Sequence, residues 1–185
     1  MARILTVSGS PRIPSRSAKL LEVVAREAEA DGHTVDRLRL LDLPADALLA
    51  ARLDDPELAA SMRQLELADA VAIATPVYKA AYTGLLKCWL DVLPQLALAG
   101  KVVLPLATGG SLAHALTLDY ALRPVLQSMA ARHVVQGYLV VDRFIESDTD
   151  GVTTISGEAL PGLTDVVDGF LQAVAHPPQR VRAAS

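Results

Sequence analysis

Apolar residues along this chain fall into two recurring patterns, short continuous runs and stripes at helical spacing. Residues 3–7 form a short apolar run that breaks at Ser8-Gly9-Ser10, which predicts a strand followed by a loop. Leu20, Leu21, Val24, Ala25 and Ala28 then recur at helical spacing, with Glu22, Arg26 and Glu29 elsewhere around the wheel, and Asp31-Gly32 ends that helix. Residues 34–41 alternate as a second strand, and residues 56–68 read as a helix with Pro56 in its first turn. Residues 70–75 are apolar at every position, as a strand buried on both faces should be. Leu86, Trp89, Leu90 and Leu93 place one stripe on a helix over residues 84–93. Residues 101–107 form another continuous strand, weakened where Pro105 has no N–H to give to a ladder. A long helix is predicted over 111–132, a fifth strand over 134–141 and a terminal helix over 163–175. Residues 142–162 are polar, contain glycine and carry no periodicity.

Strands and helices therefore alternate throughout. Alternation with doubly buried strands predicts an α/β three-layer sandwich, a parallel sheet with helices on both faces. Five strands suit the flavodoxin-like order better than a six-stranded dinucleotide fold. The 185 residues fit one domain, expected over 1–175, and residues 176–185 read as a flexible tail.

Composition narrows the function classes. A net charge of −4 provides no bulk basic field, so neither nucleic acid nor an anionic membrane is an expected partner. Cys88 is the sole cysteine, which excludes an internal disulfide framework and a cysteine-based metal cluster and fits a reducing compartment. The N-terminal apolar run is too short for a signal peptide, and no run approaches the roughly 18 residues of a membrane helix. The expectation is a cytoplasmic protein.

Three loops at predicted strand ends carry chemistry. The first, Ser8 to Leu21, holds four serines, two arginines and two prolines just where a helix begins. It lacks the Gly-x-Gly-x-x-Gly of a wrapped dinucleotide and the Gly-Lys-Ser/Thr of a triphosphate cradle. What remains suits a phosphate monoester: hydroxyls from Ser10, Ser15 and Ser17, planar forks from Arg12 and Arg16, and the N–H groups of the helix start. The same serines would also serve a plain helix cap in a solvated loop.

The second loop lies within ATPVYKAAYTGLLK. Pro76 fixes a turn directly after the strand, Val77, Tyr78 and Lys79 follow, and a rigid aromatic loop can pack on a planar heterocycle. The alternative is a connection whose tyrosines, Tyr78 and Tyr82, fill a gap, with Lys79 at the surface. The third loop, Thr108, Gly109, Gly110 and Ser111, has two glycines that permit close backbone approach and positive φ, or else make an ordinary strand-to-helix turn. A phosphate site beside two loops able to hold a flat ring describes a site for flavin mononucleotide. No nucleophile–base pair accompanies it, His33, His114, His133 and His176 lack metal-ligand spacing, and a flavin would itself supply the chemistry.

The helix predicted over 111–132 is apolar on two sides. Leu118, Leu122, Val125, Leu126 and Met129 form one stripe, while Ala113, Leu116 and Tyr120 project roughly opposite at about 100° per residue, a face suited to a partner subunit. Pro124 lacks the N–H that would bond the carbonyl of Tyr120, so a kink or a π-bulge is expected there.

The motifs GSPRIPSRS, ATPVYKAAYTGLLK, KVVLPLATGGSLAH and LDYALRPVL, in this order, resemble the NADPH-dependent FMN reductases of the flavodoxin-like superfamily, in particular those of two-component alkanesulfonate monooxygenase systems. The resemblance spans most of residues 2–141 and nothing beyond. It implies that Ser10, Arg12, Ser15, Arg16 and Ser17 hold the FMN phosphate. It places Pro76, Val77, Tyr78 and Lys79 at the isoalloxazine edge and Thr108, Gly109, Gly110 and Ser111 on the other side. It puts Tyr120 at a π-helix in the interface of a homo-oligomer, dimer or tetramer, linked to flavin release. The implied reaction is hydride transfer from NADPH to FMN, with reduced FMN supplied to a monooxygenase. A quinone or azo-dye reductase that retains FMN, a non-catalytic flavodoxin-like electron carrier, and a flavin-free phosphate-binding module are the competing readings.

Overall fold

Alternation of side chains along each strand deals the apolar residues to two faces of one sheet. The computed structural model describes residues 1–147 and 152–176. Along the chain run β1 (Arg3–Ser8), α1 (Arg16–Ala30), β2 (Thr34–Arg39), α2 (Ala45–Leu49), α3 (Pro56–Leu67), β3 (Ala70–Pro76), α4 (Gly84–Val92) and β4 (Val102–Gly109). There follow α5 (Arg123–Ser128), β5 (His133–Val134), β6 (Tyr138–Val141), β7 (Ile145–Ser147), β8 (Thr153–Ile155) and α6 (Ala159–Ala175). The parallel sheet has the order β2-β1-β3-β4, and β5 and β6 together fill the fifth position beside β4. This is the flavodoxin-like order.

Ile4, Ala70, Ala72, Leu104 and Leu106 face Leu20 and Val24 of α1 and Leu163 and Phe170 of α6. Leu5, Val7, Val71, Ile73 and Val103 face Leu58 of α3, Trp89 of α4 and Leu126 of α5. Two helical layers thus cover a sheet buried on both sides, as the runs of consecutive apolar residues require.

The fifth strand is not continuous, and Pro105 supplies the reason. It lies within β4, in register with Ile73 on one side. On its other side β5 pairs only Val102 and Val103, and β6 resumes pairing at Leu106. The ladder is interrupted where the proline has no N–H to donate.

The long helix expected over 111–132 is broken as well. Leu112–His114 is a 3₁₀ turn and Leu118–Leu122 a π-helix that runs into α5. The Arg123 N–H donates to the carbonyl of Leu118, five residues earlier, just before Pro124. The sequence pattern also passed over α2 and the antiparallel hairpin of β7 and β8, which lies in the segment without periodicity. The tail expected over 176–185 lies, after His176, outside the described residues.

Candidate functional site

The carboxyl ends of β1, β3 and β4 open on a common cleft of about 390 Å³. Ser10, Arg12, Ser15, Arg16 and Ser17 line it from the first loop, Pro76, Val77 and Tyr78 from the second, and Thr108, Gly109 and Gly110 from the third. Backbone bonds hold the loops together: the Gly9 N–H donates to the Ala74 carbonyl at 2.8 Å and the Val77 N–H to the Thr108 carbonyl at 2.8 Å.

The first loop gathers a set of hydrogen-bond donors suited to an anion. Ser15 caps α1, accepting from the Ala18 N–H at 3.1 Å, and its hydroxyl lies 3.2 Å from that of Ser17. The cap reading therefore holds for Ser15, and the cap residue also lines the cleft, so capping and a place in the site are compatible. The side chain of Ser10 is buried and bonded locally, accepting from the Arg12 N–H at 3.3 Å. Arg12 and Arg16 are exposed and line the same cleft. The 15-residue α1 directs the unpaired N–H groups of its first turn to the same place.

The second loop is tighter than its sequence announces. Tyr78 and Ala81 exchange backbone hydrogen bonds at 2.9 and 3.1 Å, and Lys79 (φ 52°) and Ala80 (φ 61°) occupy the two central positions. Left-handed backbone at two non-glycine residues costs roughly 1–3 kcal/mol each, a strain that gathers at functional sites. The turn lifts Lys79 out of the cleft lining and leaves Tyr78 on it, 42% exposed. Tyr82 turns the other way, packs against the core, and burial pushes its phenol above the usual tyrosine range.

In the third loop neither glycine has a positive φ, and only Gly109 is short of space, since a Cβ on Gly110 would meet nothing. A Cβ on Gly109 would meet the Nδ1 of His114 at 3.3 Å. That Nδ1 is buried and finds no hydrogen-bond partner among the described residues. Ser111 is outside the lining; its hydroxyl accepts from the Ala113 N–H at 3.2 Å and caps the 3₁₀ turn. Tyr120 lies in the π-helix, 79% exposed.

Pro14, Lys19, Asp142 and Ile145 also line the cleft and were not among the sequence candidates. Lys19 was legible, one turn after the Ser15 cap on the same helix face. Asp142 and Ile145 come from the segment without periodicity. A larger cleft, about 970 Å³, lies at the amino ends of the strands, but its polar groups serve the fold. Lys101 donates to the carbonyls of Glu66 and Ala68, and Asp69 accepts from the Arg3 N–H.

The family model for NADPH-dependent FMN reductase matches residues 2–146. An FMN reductase (NADPH) of Escherichia coli (strain K12) is 49% identical over 140 residues, 76% of this chain and 73% of that protein. The NADH-dependent FMN reductase SfnF of Pseudomonas putida is 33% identical over 176 residues, 92% of this chain and 93% of that one. The apo crystal structure of an NADH:FMN oxidoreductase (EMOB) superposes with a TM-score of 0.85 at 41% identity, covering 94% of this chain and 90% of that chain.

Proposed function

The chain belongs to the NADPH-dependent FMN reductase family, and from that membership we propose that its sheet-end cleft is where FMN is held and reduced. It is an NAD(P)H-dependent FMN reductase, an oxidoreductase. The observation that carries the site assignment is the convergence of three serines and two arginines on the start of α1, at the mouth of the cleft that Tyr78 and Gly109 also line. This donor set fits a phosphate monoester: serine hydroxyls and helix N–H groups donate, and the guanidinium forks neutralise.

Bound FMN supplies the chemistry, accepting hydride from the reduced nicotinamide. The chain's own task is placement. Ser10, Ser15, Ser17, Arg12 and Arg16 fix the phosphate end. Pro76, Val77 and Tyr78 on one side, with Thr108, Gly109 and Gly110 on the other, hold the ring in a preset slot. Lys79 and Ser111 act one step back, through the shape of the turn and the capped 3₁₀ segment. Holding two reactants in line removes the entropic cost of their encounter, and no acid or base is required of the protein.

The reduced FMN is released to a two-component monooxygenase of the alkanesulfonate type, a reading that rests on the resemblance of the four motifs. A homo-oligomer is supported by Leu112, Leu116 and Tyr120, which are 62%, 63% and 79% exposed along one segment. Among the described residues no helix is long and apolar enough to cross a membrane. A cytoplasmic setting is supported by the single cysteine, Cys88.

The test is anaerobic oxidation of NADPH, and separately NADH, with FMN in large excess. Accumulation of reduced flavin over many turnovers supports the reading. Oxidation that stops after one equivalent of bound flavin points to a quinone or dye reductase instead, and no oxidation with either donor points to a carrier.

A further inference from the structure

A carboxylate stands in the cleft where an anion is to be bound. Val141, the last residue of β6, is in register with Gly109, so the next residue, Asp142, is carried to the same rim as the third loop. Its Oδ2 lies 3.5 Å from Nη1 of Arg16, and both residues line the cleft with Ser10, Ser15 and Ser17. Asp142 begins a 3₁₀ turn without capping it, and its side chain accepts from Arg16. Both partners are solvated, the Arg16 side chain 58% and the Asp142 side chain 33% exposed, so the pair adds little to stability. Its place in the cleft is what gives it a consequence.

We propose that Asp142 is an affinity-tuning residue, a counter-charge that holds Arg16 in the free protein and is displaced from it when the flavin phosphate enters. The inference rests on the reading that the phosphate sits at Ser10–Ser17. An incoming dianion must take Arg16 from its carboxylate and then remain near that carboxylate. Both effects lower affinity, and both act on the phosphate alone. Arg12 and Lys19 line the cleft as well, so the site keeps a positive balance that admits FMN while Asp142 keeps the bound state shallow. A protein that hands its flavin on after each turnover needs such a balance, since every tenfold gain in affinity at a given on-rate slows release tenfold.

The experiment is titration of the full chain and its Asp142→Asn, Arg16→Ala and doubly substituted variants with FMN and with riboflavin, which lacks the phosphate. Binding is read by quenching of flavin fluorescence. Two charges at this separation in a wet cleft predict FMN binding tighter by about fivefold to tenfold in D142N. Riboflavin affinity stays unchanged, and the gain shrinks in the R16A background. Unchanged or weakened FMN binding in D142N overturns the proposal. Equal weakening of FMN and riboflavin also overturns it and assigns Asp142 to the ribityl hydroxyls. If the unsubstituted chain binds riboflavin as tightly as FMN, the phosphate reading itself fails, and the two failures are distinguishable.

Discussion

The hydroxyl of Thr83 donates to the carbonyl of Gly9 at 2.6 Å, joining the start of α4 to the loop that follows β1. The same oxygen accepts from the Leu86 N–H at 3.2 Å as the cap of α4, and the Thr83 N–H donates to Thr75 Oγ1 at 3.2 Å. One buried side chain thus fastens the first loop of the cleft to the second. Thr83→Ala removes a helix cap, worth about 0.5–2 kcal/mol, and strands a buried carbonyl, worth about 1–3 kcal/mol. The expected result is a loss of about 2–3 kcal/mol in urea denaturation together with weaker FMN binding, and Thr83→Ser restores most of both.

What the sequence made legible follows from how local each feature is. Residues 70–75 read as a doubly buried strand because every one of them is apolar, and they are buried in the fold. A helix cap from one of the loop serines was an open alternative, because a capping serine acts within one turn, and the fold gives it to Ser15. In the helix expected over 111–132, the π-register of Leu118–Leu122 was legible from Pro124, whose missing N–H is a local signal, while the 3₁₀ turn capped by Ser111 was not, because the apolar periodicity continues through it. Lys79 and Ala80 have left-handed backbone with no glycine or asparagine to announce it. Gly109 and Gly110, which do announce it, have none. Asp142 escaped because its position depends on the register of β6 against β4, a long-range pairing that no local pattern encodes.

A titration of Tyr82 separates core from cleft. Burial raises the pKa of this phenol in the folded protein above its ordinary 10.0. The unfolded chain then loses its proton first, at about pH 10, while the folded chain keeps it. The stability this group contributes is complete below about pH 10 and is lost as pH rises through the folded value. The urea midpoint of the parent chain therefore falls more steeply between pH 9 and pH 11 than that of Tyr82→Phe. Equal slopes would place Tyr82 in solvent.

Gly162 of α6 is where the terminal helix meets β6. A Cβ at this position would lie 2.5 Å from the Cζ and Oη of Tyr138, so the tyrosine side chain must shift to admit it. Gly162→Ala is expected to cost about 1–3 kcal/mol by overpacking. Adding Tyr138→Ala should return part of that loss, because the obstacle is then gone. A thermal-denaturation cycle over the two single variants and the double variant measures the coupling.

The exposed edge formed by Leu112, Leu116 and Tyr120 gives the last prediction. Leu112 belongs to the 3₁₀ turn, Tyr120 to the π-helix and Leu116 to the short stretch between them, and all three are exposed while Leu118, Leu122 and Leu126 are buried in the core. Apolar groups in water at this density favour contact with another apolar surface, and a second copy of the chain supplies one. A charge placed in that contact would be desolvated without a partner and would open it. Leu116→Glu should therefore give a smaller species in sedimentation velocity than the parent chain, with unchanged far-ultraviolet circular dichroism. Thr117, beside it, donates its hydroxyl to the Ala80 carbonyl at 3.2 Å, so the segment also touches the turn that presents Tyr78. Loss of assembly in L116E should consequently be accompanied by a change in FMN affinity, and Thr117→Val, which breaks this link while leaving the apolar edge intact, should change the affinity without changing the size. Unchanged sedimentation of L116E would remove the edge from the assembly and leave it as plain surface.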